Sequence, residues 1–352
     1  MTSKTSYGAV DYFRIIAAVL VIMIHTRPLA TYTEYGDFLL TGIIARLAVP
    51  FFFMAAGFFL FCKSDEAGRL SWSVVNRYVS RIVLLYLLSI IIYVPINVYA
   101  GDFKELGLLG LLQDIVFDGT LYHLWYFPAL ILGIYITVFL YKKLSFSLLL
   151  IISSLLYMIG LLGDSYFGLA QMSAPLHALY KQMFLLFDYT RNGLFFAPIF
   201  LALGANLALR SKALEAKKLN LSQQSQSAIG FVVCLGLMLA EGMLLEHLGW
   251  PRHDSMYIFL VPAVYCLFQW LLALKGKSNR HLRQISTWLY IIHPLMIVLV
   301  RGIGKATDLS WLLQTNSIGH FISVLLLSTI ASVIIVRLDT RRQGAQRRQK
   351  AT

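Results

Sequence analysis

Charge is what this sequence has least of. Only 13% of its 352 residues are Asp, Glu, Lys or Arg, about half the rough quarter found in soluble domains. Acids are the scarcer sign, 17 against 30 Lys and Arg, a formal net charge of +13. Disorder requires low hydrophobicity, and a 58% hydrophobic content excludes it. A nucleic-acid binder carries its basic residues within a polar chain; here they punctuate apolar runs, so no nucleic-acid partner is expected. Cysteine is sparse too. Cys62, Cys234 and Cys266 are odd in number, sit in or beside apolar runs, and form no CxxC or Cys/His spacing. Neither a disulfide framework nor a metal site is indicated, and the three read as small buried apolar residues.

Long apolar runs are what the chain has instead. A hydrocarbon core needs roughly 20 apolar residues per helix. Ten segments qualify: Tyr12–Leu29, Phe38–Cys62, Arg81–Tyr99, Leu121–Tyr141, Phe146–Leu162, Gly193–Leu209, Ala228–Leu248, Met256–Leu274, Trp288–Ile303 and Ile318–Val336. The fifth and ninth are short. The first holds Arg14 and no small-x-small site follows it, so it reads as a retained span, not a cleaved signal peptide. The expected fold is an all-α polytopic membrane helix bundle, with the lipid bilayer as its first partner. The gap Gly163–Asn192 includes SAPLHALYKQMFLLFDY, which fits an amphipathic helix on the membrane surface. Basic residues follow spans two, four, six and eight and fill the tail, residues 339–352, whereas Asp102–Asp118 is acidic. The positive-inside rule places both termini in the cytoplasm, and an even span count agrees.

Charged groups inside spans are costly, roughly 2.5–3.5 kcal/mol even on the low insertion scale. Arg14 and His25 lie in the first span, Arg46 in the second, Arg81 at the start of the third, Glu241 in the seventh and His293 in the ninth. Arg14 and His25 share one helix face, ~16 Å apart along the axis. They either link the inner surface to a titratable imidazole, or they snorkel and hydrogen-bond locally. Arg77 and Arg81, one turn apart, read as ordinary inner anchors or, with Arg14, as a cluster for a phosphorylated ligand. Arg46 and Glu241 sit at depths comparable with His25 and either border a polar cavity or pair structurally. Tyr122, His123 and Trp125 open the fourth span, where aromatics form an interfacial belt.

These residues carry a resemblance. DYFRIIAAVLVIMIH, VPFFFMAAGFFLF, YHLWYFPALI, LFFAPIFLALG and YIIHPL occur in order, and together they resemble the acyltransferase family 3 membrane proteins over residues 1–338. Arg14 and His25 match the family's Arg-x10-His signature. Ala56 replaces the usual Ser beside Gly57, and Arg77 and Arg81 are spaced four apart where the family has three. DYFRIIAA, RLAVPFFFMAAGFF and GTLYHLWYFPA are especially similar to the membrane half of VanT-type serine racemases. The racemase half of those proteins is not expected within these residues, nor is its pyridoxal phosphate.

The resemblance implies transfer of an acyl group, often acetyl, from cytoplasmic acyl-CoA to a hydroxyl of an extracytoplasmic or lipid-linked acceptor, a small molecule or a glycan. His25, Arg14 and Glu241 would be catalytic. Arg14, Arg77 and Arg81 would hold the CoA phosphates. Arg46, Tyr122, His123, Trp125, Tyr290 and His293 would meet the acceptor. The alternative implied by the VanT-like wording is a transporter supplying L-serine or a similar small amino acid. Either places the protein in a bacterial plasma membrane, and a homo-oligomer is compatible with both.

Overall fold

The structure is a computed structural model describing residues 7–101, 107–121, 123–213, 221–274 and 276–349. Among these residues the regular structure is all helical. Ten principal helical segments run in chain order: α1 Gly8–Thr26, α2 Glu34–Phe61, α3 Trp72–Ala100, α4 Tyr126–Lys143, α5 Phe146–Leu162, α6 Ala197–Ala213, α7 Leu221–His247, α8 Leu260–Ala273, α9 Arg280–Ala306 and α10 Ser317–Gln349.

Seven of them are long and apolar enough to cross a bilayer: α1 to α4, α7, α9 and α10. The other three coincide with expected spans but are shorter, 17 residues in α5 and α6 and 14 in α8. Met256 to Phe259, which begin the eighth expected span, are not helical; the helix starts only at Leu260. In the Gly163–Asn192 gap, SAPLHALYKQMFLLFDY is helical over Ala174–Met183, and a separate short helix, Phe167–Gln171, precedes it.

Local sequence explains the helix starts. The Ser71 hydroxyl accepts from Val74 N at α3, Ser145 from Leu148 N at α5, and Asn279 Oδ1 from His281 N and Leu282 N at α9. Each satisfies first-turn N–H groups that lack an intrahelical partner. α2 is not a regular α-helix. Phe38–Ile43 is π-helical and Ile44–Leu47, which holds Arg46, is a 3-10 stretch.

The chain divides into two compact units, Met1–Ala48 with Leu271–Thr352, and Val49–Trp270. In the first, α9 packs against both α1 and α10. Ala18, Ile22, Leu289, Ile297, Val300 and Val324 form its buried core. At one end of α1, Asp11 is fully buried, and its Oδ2 accepts from Ser278 Oγ (2.9 Å), Asn279 N (2.7 Å) and Arg283 Nη1 (2.7 Å). At the other end Arg27 takes a left-handed φ of 48° and ends the helix, its Nε 2.8 Å from the buried Asp37 carboxylate. Hydrogen bonds thus fix both ends of the helix that carries Arg14 and His25.

The second unit has an aromatic interior. Phe53 meets Phe196 edge-on with centroids 5.9 Å apart, and Phe196 meets Phe200 at 5.2 Å. Here α2 and α6 touch backbone to backbone. A Cβ on Gly57 would collide with the Leu201 carbonyl, and one on Gly204 with the Met54 carbonyl. Small residues at such crossings let helices gain packing energy in a solvent as apolar as their own side chains.

Candidate functional site

The site in the first unit is built from a defect in a helix. Pro294 lies inside α9 and has no N–H, so the Tyr290 carbonyl loses its i+4 donor. The preceding side chain fills the gap. His293 Nδ1 lies 2.8 Å from Tyr290 O and 3.1 Å from Leu289 O. A carbonyl only accepts, so Nδ1 carries the proton and Nε2 keeps the lone pair. His293 is fully buried. His25, in the last turn of α1, stacks on it with ring centroids 5.2 Å apart and planes 26° apart. The Tyr290 ring lies 6.2 Å from that of His293. Three sequence-predicted residues from two helices, His25, Tyr290 and His293, therefore meet.

Arg14 and Arg46 belong to the same unit. Arg14 is half-buried on α1, three turns before His25. Arg46 is half-buried on the 3-10 stretch that packs against α1. The Nε atoms of both are shielded from solvent.

Other predicted residues lie in the second unit. Arg77 and Arg81 are solvent-exposed on α3. His123 is 1% exposed, its ring edge-on to Tyr93 at 5.0 Å. Trp125 lies between Phe53, Phe196 and the Arg191 guanidinium, which sits 5.2 Å from its ring. Tyr122 is outside the described residues. Glu241 is buried and engaged by three donors: Ile258 N at 2.6 Å, Phe259 N at 3.0 Å and the Tyr166 hydroxyl at 2.7 Å. It caps the approach to α8, where backbone N–H groups otherwise go unmet.

Asp164 uses the same device and went unnoticed in the sequence. Its Oδ1 accepts from Ser255 N (2.8 Å) and Met256 N (2.9 Å) in a turn beyond the end of α5. Complete burial pushes its carboxyl up to about 6, against the lowering effects of these hydrogen bonds and of Arg191. Arg191 places its positive charge near this carboxylate. Its guanidinium lies 4.1 Å from the Tyr189 ring, and its Nη1 donates to Ser255 Oγ at 3.0 Å. Nothing in the spacing of Asp164 or Asp11 marked them, because their donors come from segments remote in sequence.

Comparison with known proteins shows the family. A family model described as an acyltransferase domain matches residues 7–337. An amino-acid racemase of Enterococcus faecalis is 41% identical over 345 residues, covering 96% of this chain and 46% of the relative. A second E. faecalis amino-acid racemase is 36% identical over 348 residues, with 96% and 47% covered. A serine/alanine racemase of Enterococcus gallinarum is 37% identical over 320 residues, with 90% and 44% covered. The chain thus spans about half the length of these relatives. No solved structure matches it. With stacked histidines supplied by the Arg-x10-His and YIIHPL segments, apolar helices of membrane length, and a family match over nearly its whole length, the chain belongs to the acyltransferase family 3 of integral membrane proteins.

Proposed function

We propose that this protein is a plasma-membrane acyltransferase moving an acyl group, in the simplest case acetyl, from cytoplasmic acyl-CoA to a hydroxyl of an extracytoplasmic or lipid-linked acceptor. The observation that carries the reading is the stacked pair of His25 and His293, with the second ring locked by the carbonyl that Pro294 leaves open. All ten segments cross the bilayer in this reading, α5, α6 and α8 included, and both termini are cytoplasmic.

The chemistry follows from the groups. The acceptor oxygen attacks the thioester carbonyl while His25 takes its proton. The C–S bond breaks, and the proton passes to the departing thiolate. His293 positions the His25 ring by stacking. Arg46 stabilises the oxyanion that develops on the carbonyl oxygen. Arg14, Arg77 and Arg81 hold the CoA phosphates. Tyr290, His123, Trp125 and Tyr122 serve the acceptor side, and Glu241 holds the frame around it. The reaction so written uses no metal and no pyridoxal phosphate.

The names of the racemase relatives favour a second reading, transport of serine or a similar amino acid. In it Glu241 would bind the amino group and Arg46 the carboxylate. A carboxylate offers about four lone-pair sites, and three donors already engage Glu241. That leaves little for a substrate ammonium and favours acyl transfer.

The deciding experiment is acetyl-CoA turnover by purified protein. His25→Ala should cut it by about 100-fold or more, the usual range for a general base, with CoA affinity retained. Arg14→Ala should weaken CoA binding. CoA-independent serine uptake into proteoliposomes that survives His25→Ala would overturn the proposal in favour of transport.

A further inference from the structure

A second feature lies in the Val49–Trp270 unit, where the turn after α2 meets the start of α3 and the end of α4. A cleft of about 410 Å³ opens there, with Lys63, Arg69 and Lys142 on its walls and Leu70 and Val74 beneath. Its one carboxylate, Asp65, is already taken. Asp65 accepts from Arg69 Nε at 2.9 Å and from Arg69 N at 2.7 Å. Among the described residues no ion pair engages Lys63 or Lys142. The two ammonium groups rest on aromatic faces instead, Lys63 4.8 Å from the Tyr78 centroid and Lys142 5.1 Å from that of Trp72. Burial, then the neighbouring Arg81 and Arg77, hold the Lys63 ammonium below its usual range. Two ammonium groups therefore line the cleft outside any ion pair, since its one carboxylate is held by Arg69. Ser71, which caps the 29-residue α3, also borders the cleft, so the positive end of that helix adds to the field. Trp72 is 40% exposed beside it, as expected for a side chain at a membrane–water boundary.

We propose that this cleft is a phosphate-binding site, in which Lys63 and Lys142 clamp a phosphate ester that neutralises them. The phosphate can come from an anionic lipid headgroup at the boundary or from a soluble phosphorylated cofactor. Basic pockets at this level are suited to headgroups, each cation near the surface contributing about 1 kcal/mol in the general case. Arg77 and Arg81 neighbour Lys63, so in the coenzyme A arm the site rests on the acyl-transfer reading and extends it. In the phosphatidylglycerol arm it stands apart. Unchanged binding in the lysine double substitution overturns this site and leaves that reading standing.

The experiment titrates delipidated full-length protein in nonionic detergent with phosphatidylglycerol, with phosphatidylcholine and with coenzyme A, followed by native mass spectrometry. Phosphatidylglycerol or coenzyme A should bind and weaken with added salt, while phosphatidylcholine, whose own cation cancels its phosphate, should bind less. Whichever of the first two responds identifies the source. Lys63→Gln with Lys142→Gln should weaken that binding by about tenfold or more. Lys143→Gln, an exposed neighbour outside the cleft, should not change it. Asp65→Asn releases Arg69 and should tighten binding, a gain that no loss of folding can mimic. The proposal is overturned if neither probe responds to the double substitution, if Lys143→Gln weakens binding equally, or if Asp65→Asn weakens it.

Discussion

Pro294 shows how one missing N–H can fix a side-chain geometry. The proline opens the Tyr290 carbonyl, and the His293 Nδ1–H closes it. Pro294→Ala would return a backbone donor to that carbonyl and let His293 leave it. The expected outcome is a folded protein with turnover lowered by about tenfold, checked by acetyl-CoA kinetics beside a thermal melt; unchanged turnover would remove His293 from its positioning role. Asp164 is one of the residues that couple stability to pH. Its folded pKa of about 6 stands above the unfolded value of about 3.9. The native state therefore holds this proton more tightly. The stability it contributes is full below about pH 4 and is lost as pH rises to about 6, on the order of 2–3 kcal/mol. Asp164→Asn keeps an acceptor for Ser255 N and Met256 N but has no proton to release. The melting temperature of the parent protein should fall between pH 4 and pH 6 by more than that of the variant.

At the scale of elements, two of the motif segments owe their residue types to packing. Gly57, in VPFFFMAAGFFLF, meets the Leu201 carbonyl, and Gly204, in LFFAPIFLALG, meets the Met54 carbonyl. The two stretches are read together because their backbones are in contact. A Gly204→Ala change should force α2 and α6 apart and cost about 1–3 kcal/mol, the usual range for overpacking. A melt in detergent measures it, and no loss would mean the crossing relaxes freely. Buried acids act at this scale too. Asp11, Asp164 and Glu241 each receive backbone N–H groups at a helix start or turn. In a chain so poor in acids, these few serve as fasteners between segments. Glu241 is legible in the sequence because it interrupts an apolar run, whereas Asp11 and Asp164 lie at the edges of theirs.

At the scale of the whole molecule, the basic residues set orientation. Lys142 and Lys143 form the last turn of α4, and residues 249–254 follow α7, on opposite sides of the membrane in the expected topology. In a cysteine-free background, Leu248→Cys should react with an impermeant thiol reagent added outside intact cells, and Lys143→Cys only after the membrane is opened. The reverse pattern would invert the protein. The two units divide the candidate residues, with Arg14, His25, Arg46, Tyr290 and His293 in one and Arg77, Arg81, His123, Trp125 and Glu241 in the other.

The sequence by itself determined the solvent and the class. Apolar runs of membrane length dictate helices, because only closed hydrogen bonding survives in lipid. The misplaced charges and the ordered segments marked His25 and His293 before any coordinates, since ionisable groups in apolar runs are costly enough to need a reason. Helix lengths were less legible. The segment beginning at Met256 is apolar throughout, yet helix starts only at Leu260, because Ser255 N, Met256 N, Ile258 N and Phe259 N bond to carboxylates remote in sequence. Only the tertiary structure decided which polar residues meet. Stacking of His25 on His293 joins positions 268 apart in the chain, and the use of Glu241 as a cap depends on where the start of α8 comes to rest. Such pairings follow from packing, which a hydropathy pattern does not encode.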